Sequence, residues 1–342
     1  MSQLSTPSPL FVTCGEPAGI GLETILKSYK DREKHHIPPF ILGIGLEHFK
    51  QYQQIHADQT PFTIVEEDFK AEDILSSFNL KLPILPLQNK VSLTLGTPCL
   101  SNSAAVIESI YKGFDLCLKG RCAALVTAPI QKATLNQSGF AFPGHTEFLE
   151  HLAHEAGHKE AKSLMLLASD ELKVMPFTIH IPLTDVAKHI TQEGLISAIS
   201  SLNQELKRVY GIDYPRIAVC GLNPHAGENG HMGREEVDTI IPAIKELQAR
   251  DILAMGPLPA DTMFHLHARK QYDCAVGMYH DQVLIPVKTL AFDKGVNVTL
   301  GLPILRTSPD HGTALAIADK GIASPSSMIA ALQQAGQLCA MS

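Results

Sequence analysis

What this sequence lacks narrows its role first. No apolar run approaches the ~20 residues that a membrane span requires, and residues 1–9 carry neither the basic nor the apolar region of a secretory signal. The expectation is a cytoplasmic chain with no membrane partner. The seven cysteines (Cys14, Cys99, Cys117, Cys122, Cys220, Cys274 and Cys339) form no C-x-x-C pair and are odd in number. In a chain of this length that points to reduced thiols, mostly small core residues, and not to a disulfide frame. Internal repeats, low-complexity tracts, charge runs and an obvious linker are all missing. Lys and Arg are scattered and the formal net charge is -7, so there is no electrostatic footprint for nucleic acid. An anionic small molecule would have to be gripped by a local cluster.

What is present is ordinary globular material, 342 residues with 45% hydrophobic and 18% charged, enough for two domains. Short apolar runs at 10–14, 40–45, 125–129, 174–179, 217–220 and 274–278 read as buried strands. Helical patterns at 101–118, 146–155, 191–210 and 235–250 alternate with them, which predicts an α/β fold with largely parallel sheet. Ligands gather beyond the carboxyl ends of strands in such sheets. Reactive side chains are densest from Tyr279 to Thr313, where Gly and Pro interleave with them. That punctuation predicts loops converging on a polar ligand.

Three histidines share one context, each just after an apolar run and beside a turn former: His180 before Ile181-Pro182, His225 after Asn223-Pro224, and His280 before Asp281. Delivered by three strand ends, they could share a divalent cation and leave positions open for substrate. Any one of them alone reads as a local loop cap. His154-Glu155-Ala156-Gly157-His158 spells the zincin pattern HExxH, the signature of a metallohydrolase. That chemistry needs both histidines on one continuous helix, and Gly157 is suited to ending it.

The loop Gly15 to Gly21 reads G-x-x-x-G-x-G, not the dinucleotide fingerprint, and lacks a P-loop lysine. It is either a tight strand-to-helix turn or an anion site at a helix N-terminus. Pro143-Gly144-His145-Thr146-Glu147 opens another helix, with Thr146 either a phosphate contact or the N-cap. Lys288, Asn297 and Arg306 recur at nine-residue spacing as ammonium, amide and planar fork, a set suited to phosphate or carboxylate. Asp261 and Asp281 are candidate acids or bases, or helix caps.

At these residues the chain resembles the 4-hydroxythreonine-4-phosphate dehydrogenase family of pyridoxal phosphate biosynthesis. The likeness runs through GEPAGIG, TAPIQK, FPGHTEFL, HIPL, CGLNPHAGENGHMGREE, GPLPADT, YHDQ and KGVNVTLGLPILRTSPDHGTA. It implies the fold of isocitrate and isopropylmalate dehydrogenases: two α/β/α domains with an interdomain active-site cleft. Residues 1–130 plus about 300–342 would form the first, and 131–299 the second, carrying metal ligands and dimer interface. The resemblance implies His180, His225 and His280 as ligands of a divalent metal (Zn, Mg or Co) in a site shared across a homodimer. It also implies substrate binding by His145, Thr146, Lys288, Asn297 and Arg306, with Asp261 and Lys288 as candidates for the base. The implied reaction is NAD- or NADP-dependent oxidation of 4-phosphooxy-L-threonine with decarboxylation; the positions that bind the nicotinamide stay unassigned. Glu16 stands where the family usually has Asp, Leu22 where Pro is common, Gln131 where Asn is common and Val283 where Gly is common. Alternatives are a threonate or erythronate 4-phosphate dehydrogenase of the same family, a zincin-like hydrolase, and a phosphate-binding protein or acyltransferase on a similar scaffold.

Overall fold

The computed structural model describes residues 8–341. Residues 1–7, most of the segment read above for a signal, lie outside the described residues. The strands, in chain order, are β1 Leu10–Thr13, β2 Phe40–Ile44, β3 Phe62–Ile64, β4 Leu82–Pro86, β5 Leu125–Val126, β6 Leu164–Ala168, β7 Lys173–Pro176, β8 Arg216–Cys220, β9 Leu253–Leu258, β10 Cys274–Gly277, β11 Val296–Leu300 and β12 Arg306–Pro309. The chain divides into two compact units, one running to Ser163 and resuming over Leu302–Ala340, the other spanning Leu164–Gly301. Among the described residues no helix is long and apolar enough to cross a membrane.

In the first unit the strand order is β3-β4-β2-β1-β5-β12, and every pairing is parallel. Strands covered on both faces need continuous apolar runs, and Leu10–Val12 and Phe40–Leu42 supply them. The helix Ser103–Leu118 lies close on this sheet because Gly113 has no side chain: a Cβ there would stand 2.5 Å from both Phe11 and Leu125. Phe148, Leu149, Leu152 and Ala153 of the helix His145–Glu155 join Phe11, Ile110 and Phe114 in one core. That packing places residues 131–163 with the first unit, so the break falls after Ser163 and not near residue 130.

The second unit has the order β11-β6-β7-β10-β8-β9. β7, β10, β8 and β9 run parallel, whereas β6 is antiparallel to β7 and β11 to β6. Its core gathers Leu167, Val174, Ala218, Ala275, Val283 and Val287. The helix Gln192–Tyr210 is capped by Thr191, whose hydroxyl accepts the Gly194 N–H at 3.1 Å. The α/β fold with largely parallel sheet is as the apolar runs predicted.

The stretch 279–313 is more ordered than its Gly and Pro content predicted. It forms the helix His280–Ala291, with Pro286 inside it, and the strands β11 and β12. Val283, Leu284 and Val287 bury one face of that helix, and this burial outweighs the hydrogen bond that Pro286 cannot donate. Val283 fits beside β10 because Gly277 is bare where a Cβ would collide with it.

Candidate active site

His180, His225 and His280 lie at one edge of the second unit. β7, β10 and β8 are adjacent and parallel, so their carboxyl ends point the same way. His180 follows β7, His280 opens the helix after β10, and His225 follows β8; Asp261 follows β9, the next strand over. The rings of His180 and His280 approach to 5.7 Å between centroids, with planes 41° apart. His280 Nδ1 lies 2.7 Å from Asp281 Oδ1. A proton on Nδ1 donated to that carboxylate leaves Nε2 as the ligating atom. This is an arrangement that suits a divalent cation. Among the described residues, however, no three His, Cys, Asp or Glu side chains gather into a metal site, so the pair offers two ring nitrogens where catalytic sites use three ligands.

His225 sits on an unusual backbone. His225, Ala226, Gly227, Glu228 and Asn229 are consecutive left-handed residues, with φ from 44 to 74°. Glycine takes this conformation freely and asparagine tolerates it; His225, Ala226 and Glu228 each carry a cost on the order of 1–2 kcal/mol. Beneath the turn lies Glu236, 1% exposed. Its Oε1 accepts the Asn223 N–H at 2.7 Å and its Oε2 accepts Asn223 Nδ2 at 2.9 Å. Gln282 ties this segment to the neighbouring strand end. Its Oε1 accepts the Met278 N–H at 2.7 Å, and its Nε2 donates to the Gly221 carbonyl at 2.7 Å. The amide thus links the approach to His280 with the approach to His225.

Lys288 follows His280 by two helical turns, on the same face. Both line a cavity of about 470 Å³ with Asp281, Leu284, Ile285 and Phe292. Phe292 is 77% exposed and Ile285 62%, a large apolar surface to leave beside charged groups. Asn297 lies on β11, and its Oδ1 is buried without a hydrogen-bond partner, an acceptor still to be filled.

A second cluster lies in the first unit. Arg306 is buried, and its Nε and Nη2 donate to Thr127 Oγ1 at 3.0 and 2.6 Å. Burial lowers its pKa to about 10, opposed by the nearby Glu147 carboxylate, so it stays charged at neutral pH. His145 Nε2 is covered and without a partner. Burial first, then the charges of Arg306 and Lys132, hold this imidazole well below its usual pKa and hence neutral. The N-cap of its helix is Gly144, which makes Thr146 the second helical residue and not the cap. Thr127, Lys132, Glu147, Gln282 and Glu236 were not singled out as site residues by sequence. Each lies inside a motif already quoted, but only its hydrogen bonds or its field separate it from its neighbours.

Two sequence signals resolve to local structure. The Gly15 to Gly21 loop spends its N–H groups internally: Glu16 donates to Pro129, Ala18 to Glu16 Oε1, Gly19 to Glu16 and Ile20 to Thr313. Gly15 and Gly19 are bare because a Cβ would stand 2.6 Å from the Pro129 carbonyl or 2.8 Å from that of Thr313. It is a tight turn, and burial raises the Glu16 pKa within it. The HExxH helix ends at Glu155, Gly157 takes φ +98°, and His154 bonds the Ala161 carbonyl. His158 lies beyond the helix, so the two histidines do not share a face and the hydrolase alternative loses its zinc site.

Residues 39–335 match the family described as pyridoxal phosphate biosynthetic protein PdxA. A 4-hydroxythreonine-4-phosphate dehydrogenase of Methylorubrum populi is 46% identical over 336 residues, 98% of this chain and 95% of its own. Another from Zymomonas mobilis is 43% identical over 327 residues, 96% of this chain and 94% of its own. The crystal structure of a Klebsiella pneumoniae enzyme of the same name superposes with a TM-score of 0.85 at 34% identity, covering 98% of this chain and 99% of that one.

Proposed function

Because the chain belongs to the pyridoxal phosphate biosynthetic protein PdxA family, whose named relatives are dehydrogenases, we propose that it oxidises 4-phosphooxy-L-threonine with NAD or NADP. The product 2-amino-3-oxo-4-phosphooxybutanoate then loses carbon dioxide to give 3-amino-2-oxopropyl phosphate, a step toward pyridoxine 5'-phosphate. The observation that carries this reading is the His180–His280 pair with Asp281 on the far nitrogen, at the carboxyl edge of parallel strands. His180, His280 and His225 would hold a divalent cation (Zn, Mg or Co), which would supply Lewis acidity at the substrate hydroxyl.

The protein's own groups do the rest. Asp281 holds the His280 ring in one tautomer. Arg306 and Lys288 face the substrate's phosphate and carboxylate, and the neutral His145 and the Thr146 hydroxyl act as hydrogen-bonding groups that carry no charge. Asn297 Oδ1 accepts a hydrogen bond from the substrate's amine or hydroxyl. Fixing both anionic ends turns binding energy into orientation of the reacting C–H bond toward the nicotinamide. Asp261 or Lys288 takes the hydroxyl proton as the hydride leaves. The seven free thiols support work in the reducing cytoplasm.

Since no third His, Cys, Asp or Glu joins the pair among the described residues, the reading includes a homodimer in which His225 comes from the other copy. Inactive His225→Ala and His280→Ala proteins, dissociated and mixed, then regain part of their turnover, because a heterodimer carries one whole site. No recovery despite proven subunit exchange contradicts this sharing. Full activity and full cation content in His280→Ala contradict the metal assignment itself.

A further inference from the structure

We infer that Glu236 is a positioning residue for the cation site, acting through the left-handed turn that carries His225. The inference rests on the reading of His225 as a ligand and goes beyond it.

Four observations converge on Glu236. Five consecutive left-handed residues, four of them with side chains, do not persist unless their surroundings over-determine them. The carboxyl group is buried, and among the described residues its hydrogen-bond donors are the N–H and the side-chain amide of Asn223. Gly227, inside the turn, lies so close that a Cβ would stand 2.5 Å from Glu236 Oε2, and a Cβ on Gly221 would stand 3.1 Å from Oε1. The carboxylate is therefore wedged between the entry of the segment at Gly221 and the middle of the turn at Gly227. Asn223 is held at both its N–H and its side-chain amide, and its own carbonyl accepts the Ala226 N–H at 3.1 Å. His225 lies between those two points. Its ring direction is set by a backbone that the carboxylate props from below.

The probe is Co²⁺ alone, titrated into the metal-stripped protein and followed by visible absorbance, whose band shape reports the ligand set. In Glu236→Gln the Co²⁺ dissociation constant is expected to rise at least tenfold and the band to shift, while the dissociation constant for the nicotinamide cofactor stays within twofold of wild type. Asn223→Ala leaves the carboxylate in place and removes one of its donors; it is expected to change Co²⁺ binding in the same direction, which keeps the test open if Glu236→Gln folds poorly. Rescue separates positioning from general stability. Glu228 is exposed with φ 44°, so Glu228→Gly lets the turn form without its Cβ penalty. Added to Glu236→Gln, it is expected to recover at least threefold of the lost affinity. Wild-type Co²⁺ affinity and spectrum in both Glu236→Gln and Asn223→Ala overturn the inference, as does loss of affinity with no recovery on Glu228→Gly. His225→Ala is the control: if it binds Co²⁺ like wild type, the ligand assignment has failed; if it loses binding while Glu236→Gln does not, only the positioning role has.

Discussion

Thr127→Val isolates the support of Arg306. Threonine and valine are both β-branched and nearly the same size, so the end of β5 keeps its backbone preference and its packing. What disappears is one oxygen that accepts two N–H groups of a buried guanidinium, at 3.0 and 2.6 Å. Arg306 is charged at neutral pH, since its pKa is lowered only to about 10. Hydrogen bonds to a charged group contribute about 1.5–3 kcal/mol each, and the donors have no water to turn to. The two share one acceptor, which keeps the total to about 2–3 kcal/mol. Urea unfolding of the two proteins side by side reads that loss. If Arg306 also grips an anionic end of the substrate, a loosened guanidinium raises KM by roughly tenfold per 1.4 kcal/mol of binding lost, with a smaller change in kcat. An unfolding free energy within about 0.5 kcal/mol of wild type would refute the hydrogen-bond reasoning. A destabilised variant with unchanged KM would remove Arg306 from the substrate site and leave it as a core residue.

Three other expectations are independent of that one. Glu155→Gln should leave turnover unchanged, because Glu155 ends a helix whose HExxH pattern is broken at Gly157; loss of activity would revive a hydrolase. His48 is buried with neither ring nitrogen bonded, and burial lowers its pKa to about 4. The unfolded chain takes up this proton first, so stability is lost as pH falls from about 6.5 toward 4, by roughly 2–3 kcal/mol at pH 4.5. His48→Leu should flatten the acid limb of the urea stability profile by that amount, and an unchanged limb would refute the assignment. Gln282→Leu should weaken Co²⁺ binding by roughly tenfold, the usual scale for groups that orient ligands, because it cuts the tie between Met278 and Gly221; wild-type affinity would show that the two strand ends hold their loops unaided.

The sequence was most legible where burial left a continuous signal. Apolar runs such as Leu10–Thr13 and Cys274–Gly277 mark strands covered on both faces, and they appear where expected. β12, Arg306 to Pro309, was hidden because its buried residues are polar, Arg306, Thr307 and Ser308 among them. Hydropathy cannot report a strand whose buried groups are satisfied by hydrogen bonds, as Arg306 is by Thr127. Pro286 concealed a helix for the opposite reason, a local rule overridden by the packing of Val283 and Val287. The shared position of His180, His225 and His280 after apolar runs is legible in the sequence. The bonds that hold the segments around them are not. Glu236, Gln282 and Thr127 act through bonds to residues 13, 61 and 179 positions away, and the last two of these are contacts no local pattern encodes. The left-handed turn at 225–229 is likewise silent in sequence, since Ala226 and Glu228 within it carry side chains that argue against it.

The most direct measurement follows nicotinamide absorbance with metal-stripped protein. 4-Phosphooxy-L-threonine is offered in parallel with threonate 4-phosphate and erythronate 4-phosphate, each with and without a divalent cation. The account predicts cation-dependent reduction with the amino acid and carbon dioxide released in equal amount. Turnover of the sugar acids alone would contradict the substrate assignment while keeping the hydride step, and no reduction with any of the three would contradict the dehydrogenase reading of this site.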